Sequence, residues 1–299
     1  MVSVVLLGAG ASFGSEEPEI KTPPLGDKLF EHLEMQDGVT SQIPDEIKQI
    51  FRENFERGMA KYYEYTKGNV MTFQRELAHY LAKYESTPKS SYIALIKALG
   101  TKRVIYSSLN YDLLFELSAA SINLNTHYGV DQNDHHVRLI KPHGSSNFWP
   151  DIPIRSISGV SIINPNGVDI QAPIKTLNRD ETLRRCMSED SLAPAMAVYS
   201  EGKKVKISPD FTNEQQNIWD LSIKNAKNVF ITGVRINKTD SHIWEKLSQS
   251  KANITYFGLR ADHQDFLEWK NTSNKKNLYY VESNFANCIN IIHSRIKYQ

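Results

Sequence analysis

The sequence predicts an α/β protein built on a Rossmann-like, doubly wound and mostly parallel sheet that carries a helical insertion. Short apolar runs alternate with amphipathic helical stretches, which is typical of parallel strands covered by helices on both faces. The first run leads directly into a glycine-rich turn, and a long, purely helical stretch then separates it from the second run. A chain of 299 residues, 40% of them hydrophobic, is long enough to bury a large core.

The strands are predicted by continuous apolar runs rather than by alternating ones, because a strand of a covered parallel sheet is buried on both faces. The runs are residues 2–7 (VSVVLL), 103–107 (RVIYS), 137–140 (VRLI), 229–232 (VFIT), 254–257 (ITYF) and, more weakly, 278–281.

Helical periodicity predicts several helices between these runs. Residues 92–99 place their apolar side chains on one face, and Gly100 stands where a C-terminal cap belongs. Residues 212–215 (TNEQ) have capping-box spacing and predict the start of another helix. An apolar stripe over residues 285–296 predicts a final helix.

Two stretches do not follow the alternation of strand and helix. Residues 28–100 contain consecutive helical patterns, which predicts the helical insertion, and residues 150–210 are polar and irregular. Because no repeat or flexible linker divides the chain, we expect a single domain over residues 1–299.

Composition excludes several classes of protein. The 35 basic and 34 acidic residues give a net charge of +1, which offers no electrostatic basis for nucleic-acid binding. No apolar run approaches the ~20 residues that span a bilayer, and the N-terminus lacks the basic region of a signal peptide. Cys186 and Cys288 stand too far apart for a disulfide framework or a zinc ribbon. We therefore expect a cytoplasmic protein without a metal.

The glycine turn LLGAGASFG (residues 6–14) follows the first strand. Gly8 and Gly10 permit a tight turn there, with Ser12 just beyond, and such a turn lets backbone N–H groups approach a phosphate. Phe13 stands where the dehydrogenase fingerprint has a small residue, and the Gly-Lys-Ser/Thr of a P-loop is missing. The turn thus predicts phosphate binding without either motif.

Polar residues also follow two later strands. Asn110 and Asp112 come after the second run, where a helix cap is an equally good interpretation. His143 comes after the third run, within KPHGS (residues 141–145), where a lone loop histidine would by itself be weak evidence. Because parallel strands end at one edge of a sheet, we expect these side chains to converge with the glycine turn.

Taken in order, these motifs resemble those of the sirtuin-like superfamily, nearest its bacterial branch of NAD-degrading antiviral effectors. The segments are GAGAS (8–12), SLNYD (108–112), KPHGS (141–145) and ITGVRINKTD (231–240). The resemblance covers most of the chain, and its specificity lies in the order and spacing of the segments.

The resemblance implies roles for individual residues. The implied NAD-binding residues are Gly8, Ala9, Gly10, Ser12, Asn110, Asp112, His143 and Gly233. Among them, His143 would be the general base, and Asn110 would hold the nicotinamide-side ribose or a water through both its donor and its acceptor. Asp112 would support the site.

The chain also departs from the deacetylating sirtuins. It lacks the paired CxxC motifs of their zinc ribbon and the Pro-Asp-Phe-Arg stretch after the glycine turn. The resemblance therefore implies hydrolysis of NAD⁺ to ADP-ribose and nicotinamide, as the effector of an antiphage system, rather than deacylation. The alternatives are an ADP-ribosyl transferase or deacylase-type sirtuin activity and a non-catalytic sensor of NAD or an ADP-ribose nucleotide. A toxic NAD hydrolase needs control, so we expect a homo-oligomer or a separate regulatory protein.

Two other constellations are weaker candidates. The histidine-rich loop contains His127, His135 and His136 with Asp131 and Asp134, but it has no recognisable ligand spacing and is best interpreted as a solvated turn. The serines of KPHGS lack the nucleophile elbow of a serine hydrolase.

Overall fold

A computed structural model describes residues 2–17, 20–129, 136–152, 170–189, 191–197, 207–237 and 240–297. Its strands are β1 (Val2–Leu7), β2 (Val104–Ser108), β3 (Asn125–His127), β4 (His136–Ile140), β5 (Phe148–Pro150), β6 (Ile174–Thr176), β7 (Ala226–Thr232), β8 (Asn253–Gly258) and β9 (Leu278–Glu282). Seven of them form one sheet in the order β3-β4-β2-β1-β7-β8-β9, and every neighbouring pair in it is parallel. Strands β5 and β6 form a separate antiparallel pair.

The helices pack around this sheet and in a separate group. They are α1 (Ala9–Phe13), α2 (Gly26–Glu34), α3 (Asp45–Glu53), α4 (Phe55–Tyr65), α5 (Met71–Ala82), α6 (Ser91–Leu99), α7 (Leu114–Ser121), α8 (Arg179–Ser188), α9 (Pro209–Asn225), α10 (Ser241–Gln249), α11 (His263–Ser273) and α12 (Phe285–Lys297). The predicted fold class, a Rossmann-like α/β sheet with a helical insertion, is confirmed. Within the described residues, no helix is both long and apolar enough to cross a membrane.

Strand β1 lies at the centre of the sheet and is buried on both faces. Val4 and Leu6 belong to the core under one face, and Val5 and Leu7 belong to the core under the other. Successive side chains of a strand point to opposite faces, so a strand covered on both sides must be apolar throughout. This arrangement explains the continuous VSVVLL run.

The helical insertion has its own aromatic core. The rings of Phe30 and Phe51 stack with centroids 4.2 Å apart, and those of Phe51 and Phe73 lie 5.7 Å apart. Helix α6 does not belong to this group, because it packs against the sheet beside α12. The ring centroids of its Tyr92 and of Phe285 in α12 lie 5.1 Å apart. The separate helical body is therefore α2 to α5, and the last part of the predicted span 28–100 belongs to the layer that covers the sheet.

Some local predictions differ from the structure. Strand β3 was not predicted, because it is a three-residue edge strand of polar sequence (Asn-Thr-His) without an apolar run. The capping-box prediction at residues 212–215 is wrong: α9 begins at Pro209, a residue favoured in the first turn, after Ser208 in a left-handed conformation. Much of the predicted irregular region 150–210 lies outside the described residues.

The strand order changes direction beside β1. From β1 the chain first builds β2 and β4 on one side, and it later returns to place β7 on the other side. In open α/β sheets, such a change of direction opens a ligand crevice outside the carboxyl ends of the strands. The turns after β1, β2, β4 and β7 all lie at this edge, because those strands are parallel.

Candidate active site

The turn after β1 packs directly against the end of β7. The N–H of Gly8 donates to the carbonyl of Thr232 at 3.1 Å, and that of Gly10 donates to the carbonyl of Gly233 at 2.9 Å. A Cβ atom on Gly8 would lie 2.4 Å from the Gly233 oxygen, and one on Gly233 would lie 2.1 Å from the Ala11 nitrogen. Only glycine fits such a close approach of two backbones.

This packing accounts for the glycines before any ligand is considered. Because the Gly10 N–H is already bonded to Gly233, the phosphate contact expected of that group would compete with a backbone hydrogen bond. Gly233 also has a φ of +65°, which favours glycine. Ala9 is exposed at the tip of the turn, whereas Ser12 is buried beneath it.

Asn110 joins the turn after β2 to the glycine turn. Its Nδ2 donates to the carbonyl of Gly8 at 2.9 Å and to Oγ of Ser12 at 2.8 Å. The Ser12 hydroxyl in turn lies 2.9 Å from the hydroxyl of Tyr92. Both amide hydrogens are thus used inside the protein, so the remaining polar atom of the side chain is Oδ1, an acceptor. A ligand contact to the Asn110 amide hydrogens, which we expect from the sequence, would compete with these two hydrogen bonds.

Asp112 occupies a buried position at the start of α7. Its Oδ1 accepts a hydrogen bond from the N–H of Leu114 at 3.1 Å, although the N-cap of the helix is Leu113. Burial raises the pKa of the Asp112 carboxyl, while the nearby Lys141 ammonium and the Ser12 hydroxyl oppose that rise. Through its side chain and its carbonyl, Asp112 thus contacts the start of α7 and Lys141.

Lys141 holds the turns after β2 and β4 together. Its Nζ donates to the carbonyl of Asp112 at 2.7 Å, to Oε1 of Glu116 at 2.7 Å and to Oγ of Ser145 at 2.8 Å. The Lys141 side chain is only 1% exposed, and an ammonium group has three donors, so each has a partner. Sequence reasoning missed this role, although the lysine begins the KPHGS motif.

His143 lies in a tight turn that Gly144 makes possible. Gly144 has a φ of +81°, and a Cβ atom there would lie 2.1 Å from the carbonyl oxygen of Ala195. The carbonyl of His143 accepts a hydrogen bond from the N–H of Ala197 at 2.9 Å. The backbone on either side of the imidazole is therefore fixed, and the residue is only 2% exposed.

The groups next to the His143 ring come from the start of α10. Its Nε2 lies 2.9 Å from Nε2 of His242 and 3.8 Å from Oδ1 of Asp240. Each of the three residues offers an atom that can bind a metal, and these atoms lie within 4.8 Å of one another. Sequence reasoning did not identify His242, although the Asp-x-His spacing after the glycine-ended strand was a signal that both side chains start one helix.

The histidine-rich loop is only partly described. The rings of His127 and His136 lie 6.0 Å apart on neighbouring strands. Asp131, Asp134 and His135 lie outside the described residues, so the solvated-turn interpretation stays a prediction.

The fold and these side chains define a Rossmann-like α/β protein with a cluster of buried polar side chains at the carboxyl edge of its sheet. No family model matches the sequence, and no curated protein matches it. Among solved structures, the chain is similar to a mutant Sir2 homologue in complex with ADP-ribose, at 13% identity and a TM-score of 0.47, over 99% of this chain and 92% of that one. It is also similar to a Sir2 homologue in complex with NAD, at 14% identity and a TM-score of 0.44, over 99% of this chain and 90% of that one. Similarity at this level does not establish a family or an activity.

Proposed function

We propose that the protein is a sirtuin-like NAD⁺ hydrolase that releases nicotinamide and ADP-ribose. The observation that carries the proposal is the direct link between the Asn110 side chain and the glycine turn, through Gly8 and Ser12. An acceptor for a ribose hydroxyl or a water is thereby held beside a turn suited to a pyrophosphate. His143 adds a base at the same edge of the sheet.

The reaction needs little acid catalysis, because nicotinamide leaves a cationic pyridinium as a neutral molecule. The bond between the ribose C1′ and the pyridinium nitrogen breaks, and its electron pair stays with nicotinamide. The ribose carbon becomes oxocarbenium-like, and a water oxygen bonds to it while a base takes the water proton. Hydrolysis therefore requires a positioned water, a base and surroundings that tolerate positive charge.

The residues of the crevice match these requirements. Oδ1 of Asn110 can accept a hydrogen bond from the attacking water or from a ribose hydroxyl, since the amide hydrogens are used elsewhere. The imidazole of His143 can take the proton, and the Asp240 carboxylate 3.8 Å away favours the resulting cation. Asp240 thus takes the charge-stabilising role nearest the base, while Asp112 supports the turn.

NAD would lie beside β1, where the strand order changes direction. The exposed Ala9 and the adjacent Ser12 segment are proposed to face the phosphates, and Gly233 is proposed to lie near the adenosine half. Because His143 is 2% exposed, productive binding requires the side chains above it to shift. The cellular role we propose is depletion of NAD as the effector of an antiphage system.

The test is turnover of NAD⁺ by the purified protein, with products separated by chromatography. We expect free ADP-ribose and nicotinamide from the wild type, and a rate lower by ~10²–10⁴ in His143→Ala, the usual cost of losing a general base. His293→Ala, which removes an exposed histidine of α12, is the control and should keep the wild-type rate.

The same experiment separates the competing functions. ADP-ribose attached to protein would indicate a transferase, and NAD binding without any turnover would indicate a sensor. A His143→Ala rate within threefold of wild type would overturn the assignment of the base.

A further inference from the structure

Buried His143 and half-buried His242 approach each other through their Nε2 atoms. Nε2 of His143, in the turn after β4, lies 2.9 Å from Nε2 of His242, in the first turn of α10. The Asp240 carboxylate approaches His143 from the side, with Oδ1 at 3.8 Å. Two imidazole nitrogens and one carboxylate oxygen thus converge from two separate elements.

We infer that His143, Asp240 and His242 form a binding site for a divalent transition-metal ion, with Zn²⁺ as the best fit. The inference goes beyond the proposed NAD cleavage and does not depend on it. Sequence reasoning led to the expectation of a metal-free protein because the cysteines are too far apart and because His242 was not recognised.

The distances suit a tetrahedral ion. Zn–N bonds of about 2.0–2.1 Å at tetrahedral angles place neighbouring ligand atoms about 3.3 Å apart. The two Nε2 atoms lie 2.9 Å apart, which is shorter than this value, and Nε2 of His143 lies 3.8 Å from Oδ1 of Asp240, which is longer. All three ligand atoms lie within 4.8 Å of one another. Adjustments of about half an ångström would bring Nε2 of His143 to the tetrahedral spacing from the ligand atoms of both His242 and Asp240.

The ligand types decide which metal fits. Imidazole nitrogen suits zinc, copper, iron and nickel, whereas magnesium and calcium prefer sites made of oxygen ligands. Three protein ligands also leave a fourth tetrahedral position open to water.

Metal binding has a consequence for the proposed function. A metal ion on Nε2 of His143 would bind the residue that is proposed as the base and would lie where the substrate must approach it. Zn²⁺ and NAD cleavage should therefore exclude each other, and Zn²⁺ should inhibit the hydrolase reversibly. This consequence rests on the proposed function, whereas metal binding itself does not.

The test is calorimetric titration of the chelator-treated full-length protein with Zn²⁺ in the absence of NAD. We expect one equivalent to bind to the wild type. In His242→Ala and in the more conservative His242→Asn, affinity should fall by more than the ~10–100-fold that loss of an outer-shell partner costs. His293→Ala should bind Zn²⁺ as the wild type does, and Mg²⁺ should not bind at this site.

Replacement of Zn²⁺ by Co²⁺ gives a second readout, since tetrahedral Co²⁺ has intense visible absorption that should disappear in Asp240→Asn. Circular dichroism of each variant checks that it is folded. Absence of Zn²⁺ binding to the wild type, or equal binding by folded His242 variants, would overturn the site. Loss of binding in His127→Ala instead would assign the metal to the histidine-rich loop. NAD turnover is measured separately, so failure of one proposal is distinguishable from failure of the other.

Discussion

Asn110 has a structural and a proposed functional task within one side chain. Its Nδ2 donates hydrogen bonds that hold the glycine turn in place. Its Oδ1 is the proposed acceptor for a ribose hydroxyl or a water. The two tasks belong to different atoms of the amide, so loss of the side chain should show in two separate measurements, stability and turnover.

We expect Asn110→Ala to lose NAD turnover while keeping measurable NAD affinity, because the proposed pyrophosphate contacts lie on the glycine turn. The lost hydrogen bonds should cost about 1–3 kcal/mol of unfolding free energy, since they leave the Gly8 carbonyl and the Ser12 hydroxyl without this partner. Calorimetry with NAD and urea unfolding measure the two effects. Lost binding combined with near-normal turnover of the residual complex would reverse the roles of the two segments.

The buried carboxyl of Asp112 should make stability depend on pH. Burial raises its pKa above the ordinary value of 3.8, so the folded protein holds this proton more tightly than the unfolded chain does. The contribution of Asp112 to stability is therefore greatest at low pH and falls as pH rises from the unfolded pKa through the raised folded pKa. Asp112→Asn keeps an oxygen that can accept from Leu114 but removes the titration.

As pH rises over that range, we expect the unfolding free energy of the wild type to fall relative to that of Asp112→Asn. Urea unfolding at a series of pH values measures it. A constant difference at all pH values would show that Asp112 has the same pKa in the folded and unfolded chain.

At the scale of elements, the contact between the glycine turn and the end of β7 determines the geometry of the crevice. Gly233→Ala would place a methyl group 2.1 Å from the Ala11 nitrogen at a φ of +65°. The left-handed conformation alone costs roughly 1–2 kcal/mol for a non-glycine residue, and the clash adds to that cost. We expect a loss of more than ~2 kcal/mol in urea unfolding, together with weaker NAD binding.

Gly26→Ala is the matched control for this substitution. No atom lies within 4 Å of a Cβ at Gly26, the first residue of α2, and its φ is not in the left-handed region. Stability should change by at most roughly 0.5–1 kcal/mol, in the stabilising direction. Equal effects of the two substitutions would show that the close approach of the two turns does not matter for stability.

At the scale of the whole molecule, we propose the helical insertion as the surface for self-association. Met35, at the end of α2, is 77% exposed, and Tyr65, at the end of α4, is 60% exposed. Exposed apolar side chains of this size are common at protein interfaces. Control of an NAD-consuming enzyme by assembly would use such a surface, with a second copy of the chain as the partner.

We expect NAD turnover per molecule to change with protein concentration and to follow the size measured by gel filtration. Met35→Glu combined with Tyr65→Glu should shift the protein toward the monomer without altering residues of the crevice. A wild-type monomer with the same turnover at every concentration would leave control by self-assembly without support.

Local sequence patterns were sufficient to predict the sheet and the edge at which its polar side chains gather. Burial on both faces requires an unbroken apolar run, and this local requirement located the strands of the main sheet except for the short polar β3. The positions of Asn110 and His143 after such strands followed from the parallel direction of the sheet.

The partners of those side chains were decided by the tertiary structure. Pairing of Gly8 and Gly10 with Gly233, and of His143 with His242, joins segments far apart in the chain, and their distances depend on register and helix packing. Two acceptors of Lys141, the Asp112 carbonyl and Oε1 of Glu116, likewise lie far from it in the sequence. By itself the sequence therefore placed Asn110 and His143 at this edge of the sheet, because strand burial and strand direction are local properties. Only the folded chain decided which atoms remain available to a ligand, because hydrogen bonds between distant segments use some of those atoms.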